Sequence, residues 1–346
     1  MRLTDRELNW VLDSPVFYGP LASQCASGQL QSESFISLPG PIVHVNNIEC
    51  PNTQTTSDLL SDRHAREKCS LEVEQQLSVF HTGRLGLVFE KYLENIFREK
   101  FGDANTITRV AVREETPSIG GVKTWGEFDF LVHNLALKRT EHWESSIKFY
   151  LQVSRQPEWK FCWGPGVRDR LDLKGTKTFL QQLPLSSTEL GHKCIPKPWR
   201  DLPLAKIVFA KGTIFYQWEP ERESFNKCLA NIVSPVGLSP DHLKSWWILP
   251  QCVKALREQF PAAKISVVPR RYWMTGLPAD LLQSNLEDWD EFVCNLETRL
   301  NILSERQECM LVGLHDRHEP FELMQMGFIA APHFLRALDE FASVQR

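Results

Sequence analysis

The chain has 346 residues, 42% of them hydrophobic and 24% charged, the balance of a soluble globular protein with core enough for one large domain or two ordinary ones. Its net charge of −4 excludes a general attraction to polyanions, so any nucleic-acid contact needs a local basic patch. No apolar run approaches the length of a membrane span, the N-terminus MRLTDRELNWVLDSP has no signal pattern, and the nine cysteines are odd in number with no C-x-x-C pair. A cytoplasmic protein with reduced thiols and no membrane contact is expected.

In chain order, residues 5–12 place Leu8, Trp10, Val11 and Leu12 near helical spacing and run into Ser14-Pro15, which stops a helix. Residues 19–62 are rich in Ser, Asn, Thr, Gln and Pro and read as irregular wrapping. Residues 84–102 (RLGLVFEKYLENIFREKFG) set Leu85, Val88, Phe89, Tyr92, Leu93, Ile96 and Phe97 on one face, so the spacing predicts an amphipathic helix ending at Gly102. Three segments enriched in β-branched and aromatic residues follow at 106–114, 127–132 and 142–153 and read as strands.

After Gly164-Pro165-Gly166, residues 169–183 read as a helix weakened at Gly175. Residues 205–210 and 213–218 flank Lys211-Gly212 and read as a hairpin. Beyond it come a helix at 251–259, a strand at 264–268, a long helix at 278–303 and a helix after Pro332. The Pro-rich stretch 183–203 is the plausible break. The division expected is an N-terminal helix and wrapping segment (1–83), a core (84–220) and a mixed α/β extension (221–346).

The second and third strands carry charges that a core-filling strand has no use for. Alternation puts Glu127 and Asp129 on one face, and Glu144, Ser146 and Lys148 on one face. Burying unpaired charges is costly, and a hard divalent cation such as Mg²⁺ (or Mn²⁺) offsets a cluster of carboxylate oxygens. Such a cation polarises a phosphoryl oxygen and acidifies a bound water, while a lysine on the same face positions the water or stabilises developing charge. Glu90, one turn into the helix that begins after Arg84, is a further carboxylate candidate.

These residues also carry a resemblance. GLVFE on a helix, GEFDFLV on a strand and a strand ending Ile147-Lys148 resemble the PD-(D/E)XK nuclease superfamily. More narrowly, LNWVLDSP, residues 85–90, residues 126–131, HWESSIKFYL, GPGVRDRLDLK and residues 181–183 resemble the uncharacterised bacterial domain-of-unknown-function family 1853, over most of residues 5–220.

The broad resemblance implies an α/β (α+β) fold with a restriction-endonuclease-like core: a mixed sheet of about four strands flanked by helices, with N- and C-terminal embellishments. It implies Asp129 as principal metal ligand, Lys148 as catalytic lysine and Glu90 as the helix carboxylate. One position departs from the pattern: Ser146 stands where a carboxylate two residues before the lysine is expected. Glu144 lies about 7 Å further along the strand, and Glu127 is a second candidate for that role.

Arg170, Lys174 and Lys177, on the helix after the lysine-bearing strand, are candidate phosphate contacts, and Gln181 a candidate to face the site; the ordinary reading is a solvated helix face. His315, Asp316, His318 and Glu319 lack zinc-like spacing. Trp246-Trp247, Trp273 and Trp289 are candidates for base stacking beside Arg270 and Arg271, though large aromatics usually fill cores. The expected function is a Mg²⁺-dependent phosphodiesterase on DNA or RNA. The alternative is a nuclease-like fold that no longer hydrolyses and serves as a nucleic-acid or protein interaction module.

Overall fold

Apolar spacing at i, i+3, i+4 and i+7 builds the helix against which the central strands pack. In the computed structural model, which describes residues 2–19, 22, 48–79, 84–116, 121–318 and 320–344, that helix is Leu85–Phe101. It buries Leu85, Val88, Phe89, Tyr92, Leu93, Ile96 and Phe97, the residues its periodicity predicts. It packs on the sheet and on the helices Leu3–Asp13 and Arg63–Val79. Residues 20–21 and 23–47 of the expected wrapping segment lie outside the described residues.

The strands are, in chain order, β1 (Ile48–Glu49), β2 (Thr106–Thr116), β3 (Gly121–Asn134), β4 (Arg139–Gln152), β5 (Cys162–Trp163), β6 (Leu204–Gln217), β7 (Leu243–Ile248), β8 (Lys264–Val267), β9 (Leu286–Glu287), β10 (Met310–His315) and β11 (Leu323–Ile329). They form one mixed sheet in the order β2-β3-β4-β6-β7-β11-β10-β8-β9, with β1 beside β6 and β5 beside β4. Strands β4, β6, β7 and β11 are parallel neighbours, and the remaining main pairings are antiparallel.

The α/β expectation holds, but the sheet has eleven strands and not about four. Three of those not anticipated, β7, β10 and β11, are short apolar segments, and β10 is buried throughout. Such runs show no period-2 alternation to mark them as strands.

The expected hairpin at Lys211-Gly212 is also corrected. β6 runs straight through it, parallel to β4 from Thr140↔Leu204 to Gln152↔Tyr216. Gly212 has φ 150°, and a Cβ there would lie 1.8 Å from the Lys148 carbonyl oxygen. The glycine marks a close approach of two backbones and not a turn. Lys211 is buried; its Nζ donates to the Ser14 carbonyl and to Thr56 Oγ1, and burial pulls its pKa down to about 7.

The expected boundary near residue 220 falls between β6 and β7, which pair from Thr213↔Leu243 to Gln217↔Trp247. One apolar cluster joins Trp143, Phe149 and Leu151 of β4 to Trp247, Phe328 and Phe334 further along. On the opposite face, Tyr150, Val208 and Ile214 pack with Phe17, Tyr18, Trp159 and Phe179. An ion pair also ties the chain's beginning to its second half: the half-buried Arg271 grips both oxygens of buried Glu7, which accepts a 2.7 Å hydrogen bond from Tyr92 as well.

Trp246, Trp247, Trp273 and Trp289 are all buried and belong to this core. His315 is buried, bonded to Ser266 and the Phe321 carbonyl, and Asp316 accepts the His318 N–H. Glu319 lies outside the described residues. The expected helix at 278–303 divides into Ala279–Leu282 and Trp289–Glu305, with β9 between them. No helix among the described residues is long and apolar enough to cross a membrane.

Candidate active site

The site is built on a break in the ladder of β4. One edge of β4 is paired with β6 along its length. On the other edge β3 pairs from Asn134↔Arg139 to Phe130↔Trp143 and then departs, and β5 pairs only at Leu151↔Trp163 and Gln152↔Cys162. Residues 144–150 are left between them.

Asp129 stands where β3 leaves. Phe130 packs edge-on against Phe97 of the helix, whereas Phe128 packs against His142 on the other face. Two residues of a regular strand two apart share a face, so the alternation slips at Asp129. Across β2, Arg109 adopts φ 56°, between the pairs Thr108↔Phe130 and Val110↔Phe128. The Asp129 side chain turns toward β4, where its Oδ2 accepts the Ser145 N–H at 2.8 Å and the Ser145 hydroxyl at 3.1 Å.

Glu144 is buried beside it. The Asp129 backbone N–H favours its charged form. Its Oε1 lies 2.9 Å from His142 Nε2, and its Oε2 accepts Gln182 Nε2 at 2.7 Å. His142 Nδ1 in turn meets Ser186 Oγ at 2.9 Å. Gln182 closes a π-helical turn, Thr178–Gln182, inserted between the helices Leu171–Lys177 and Leu183–Leu185. Such a turn shifts the side chains that follow around the helix axis, and it brings Gln182, rather than the expected Gln181, onto Glu144.

Burial pushes both acids up to about 8; for Asp129 the neighbouring Glu144 adds to the shift and the Ser145 N–H opposes it. Burial pulls His142 down to about 3, so its ring is neutral. Each carboxyl therefore keeps its proton to higher pH than a free one. Neither acid makes an ion pair with a lysine or arginine among the described residues.

The remaining candidates are placed as follows. Glu90 accepts a 2.6 Å ion pair from Arg109, and its charge reaches both Asp129 and Glu144. Glu127 is exposed and acts on Arg109 and Glu144 through space. Lys148 lies further along the open stretch of β4, where its Nζ donates to Asp169 Oδ2 at 2.9 Å and not to Asp129 or Glu144. Asp169 Oδ1 also accepts the Tyr150 hydroxyl at 3.2 Å. Arg170 is engaged in a two-pronged pair with Asp172. Lys174 and Lys177 are exposed, and Lys177 favours the charged form of Glu144.

Arg109, His142, Asp169, Gln182 and Ser186 were not among the residues read from the sequence. His142 had the one usable signal, being two residues from Glu144 and therefore on its face.

Among the described residues no three or more His, Cys, Asp and Glu side chains form a group able to hold a metal. A magnesium ion, however, is commonly held by one or two carboxylates, with water and substrate phosphate completing its sphere. Asp129 and Glu144 fit that smaller role: they are hard oxygen donors and neighbours, Glu144 buried and Asp129 half-buried, and neither forms an ion pair with a lysine or arginine among the described residues. A hollow of about 710 Å³ lies at the other end of β4, and its Arg139 is already paired with Glu49 and Glu141. It offers no uncompensated charge cluster of this kind, so the ladder break is the stronger candidate.

No curated protein and no solved structure matches the chain. A family model described as a domain of unknown function (DUF1853) matches residues 6–328. The chain belongs to that family.

Proposed function

We propose that the protein is a Mg²⁺-dependent phosphodiesterase acting on nucleic acid, with a nuclease core of the PD-(D/E)XK type centred on β3 and β4. The observation that carries this reading is the pair of half-buried Asp129 and buried Glu144, without a lysine or arginine ion-pair partner among the described residues, at the point where β3 leaves β4, with Lys148 on the same open stretch. When bound, the divalent ion supplies Lewis acidity to a phosphoryl oxygen and lowers the pKa of a bound water.

The chain's own residues do the rest. Asp129 and Glu144 present oxygens, and Ser145 fixes the orientation of Asp129. His142 and Gln182 hold the two oxygens of Glu144. Lys148, whose charge Asp169 keeps on this edge, stabilises the negative charge that develops on the phosphate. The eight free cysteines among the described residues support a reducing, cytoplasmic setting.

A second reading has its own support. Lys148 is paired with Asp169, and both Glu144 oxygens are already occupied by protein groups, as in a fold that binds nucleic acid without cutting it. Incubation with labelled single- and double-stranded DNA and RNA in Mg²⁺ or Mn²⁺ separates the two. The first reading expects cleavage that falls about 100-fold or more in Asp129→Asn and Lys148→Ala. Binding without cleavage by the wild type selects the second, and equal cleavage by the variants removes this site.

A further inference from the structure

A second hollow opens where residues 147–149 of β4 meet the C-terminal half of the chain. It has a volume of about 480 Å³, and its charged lining comprises Lys148, Arg168, Arg270 and Arg306 against Asp169 and Glu308. The first turn of the helix Leu85–Phe101 forms another wall through Leu85 and Gly86. A Cβ at Gly86 would meet nothing within 4 Å, so this wall is open.

We infer that this cleft binds the phosphates of a nucleic-acid strand, and that Arg270 and Arg306 give residues 221–346 a role in substrate binding. The inference rests on the phosphodiesterase reading for the identity of its ligand, and on Arg168, Arg270 and Arg306, which lie outside the proposed catalytic set, for its site.

Charge is the first argument. The chain as a whole carries −4, yet four cations face two carboxylates here. Arg168 and Arg306 are exposed, and neither makes an ion pair among the described residues. Arg270 is only loosely engaged, 3.7 Å from Glu308, with its guanidinium 5.5 Å from the centre of the Trp273 ring. Guanidinium groups left without carboxylate partners are suited to two-pronged contacts with phosphate oxygens. The N-terminal end of a helix adds a favourable partial charge for an anion.

Construction is the second argument. The turn that carries Arg168 is locked onto the C-terminal half at several points. The Pro165 carbonyl accepts His333 Nε2 at 3.0 Å and Cys309 Sγ at 3.4 Å. Gly166 packs so closely on the Gln307 carbonyl that a Cβ would lie 2.9 Å from it. Val167 follows with φ 65°, and the Gly164 N–H closes the loop on the Asp169 carbonyl at 2.7 Å. Arg168, Arg270 and Arg306 are therefore held around one space by tertiary contacts. Since the cations come from separated segments around a space with Lys148 on its wall, the arrangement suits successive phosphates of a strand.

The experiment measures binding, not cleavage. Fluorescence anisotropy of a labelled oligonucleotide with the full-length protein, in EDTA and over a salt series, compares wild type with Arg168→Glu, Arg270→Glu and Arg306→Glu. Arg257→Glu is the control, because Arg257 lies outside the cleft and pairs with Asp290. Each cleft reversal is expected to weaken binding about tenfold and to lower the salt slope by about one, with the control unchanged.

Wild-type affinity in all three cleft variants, or no binding by the wild type, overturns the inference. The two proposals fail separately. Binding lost on charge reversal in a protein that cleaves nothing keeps the cleft and removes the phosphodiesterase. Cleavage lost in Asp129→Asn but untouched by the three reversals does the opposite.

Discussion

The Asp129 carboxylate takes the backbone N–H of Ser145 at 2.8 Å, from the strand its own backbone has just left. A side chain replaces the next rung of the ladder. On the Glu144 side, the Asp129 N–H favours the charged form of the carboxylate. Two acids are thereby held at the rim of an opening in the sheet, in a setting that raises the pKa of each.

Stability should follow that pair with pH. A carboxyl group raised on folding keeps its proton where the unfolded chain has lost it, so the folded state binds more protons between about 4 and about 8. Stability from this source is whole below about 4 and declines as pH rises through about 8. Thermal melts in EDTA should show the wild type losing stability relative to Asp129→Asn over that interval, by roughly 1–3 kcal/mol. Parallel curves for the two proteins would show that the pair is not strained.

Gly212 sets the position of Lys148 from the neighbouring strand. Because a Cβ at 212 would fall 1.8 Å from the Lys148 carbonyl oxygen, Gly212→Ala should cost roughly 3 kcal/mol or more and push β4 and β6 apart. Urea unfolding measures the loss. A variant as stable as wild type would mean that the strands do not approach so closely.

The Glu7–Arg271 pair joins the first helix to the C-terminal half, with Glu7 buried and Arg271 half-buried. Glu7→Ala leaves the Arg271 guanidinium and the Tyr92 hydroxyl without their acceptor, and should cost roughly 3–5 kcal/mol. Replacing both partners, as Glu7→Leu with Arg271→Met, should recover much of the loss. If the double variant is no more stable than Glu7→Ala, the charge left behind is not what destabilises.

Much of the first half of the fold was legible. The helix Leu85–Phe101 shows a clean 3.6-residue stripe, and β2, β3 and β4 follow β-branched and aromatic enrichment. What failed did so for identifiable reasons. Lys211-Gly212 has the composition of a turn but serves a buried parallel strand, and only the neighbour at Lys148 reveals why glycine is needed.

The site was legible in part. Strand alternation placed Glu144 and Lys148 together, but it cannot foresee the slip at Asp129, which depends on the left-handed Arg109 across the ladder. Gln182 was displaced from expectation by one residue through the π-helical turn. The cleft cations Arg168, Arg270 and Arg306 are far apart in sequence and meet only because the turn at Gly164–Gly166 docks on Gln307.

The most direct test of the account is calorimetric titration of the wild type with Mn²⁺ near pH 7.5, in two buffers of different ionisation enthalpy. Because ligating carboxylates must give up the protons they hold, the account predicts one site, release of about one to two protons as seen in the buffer dependence, and loss of the site in Asp129→Asn. An absence of Mn²⁺ uptake, or uptake unchanged in Asp129→Asn and Glu144→Gln, would contradict it.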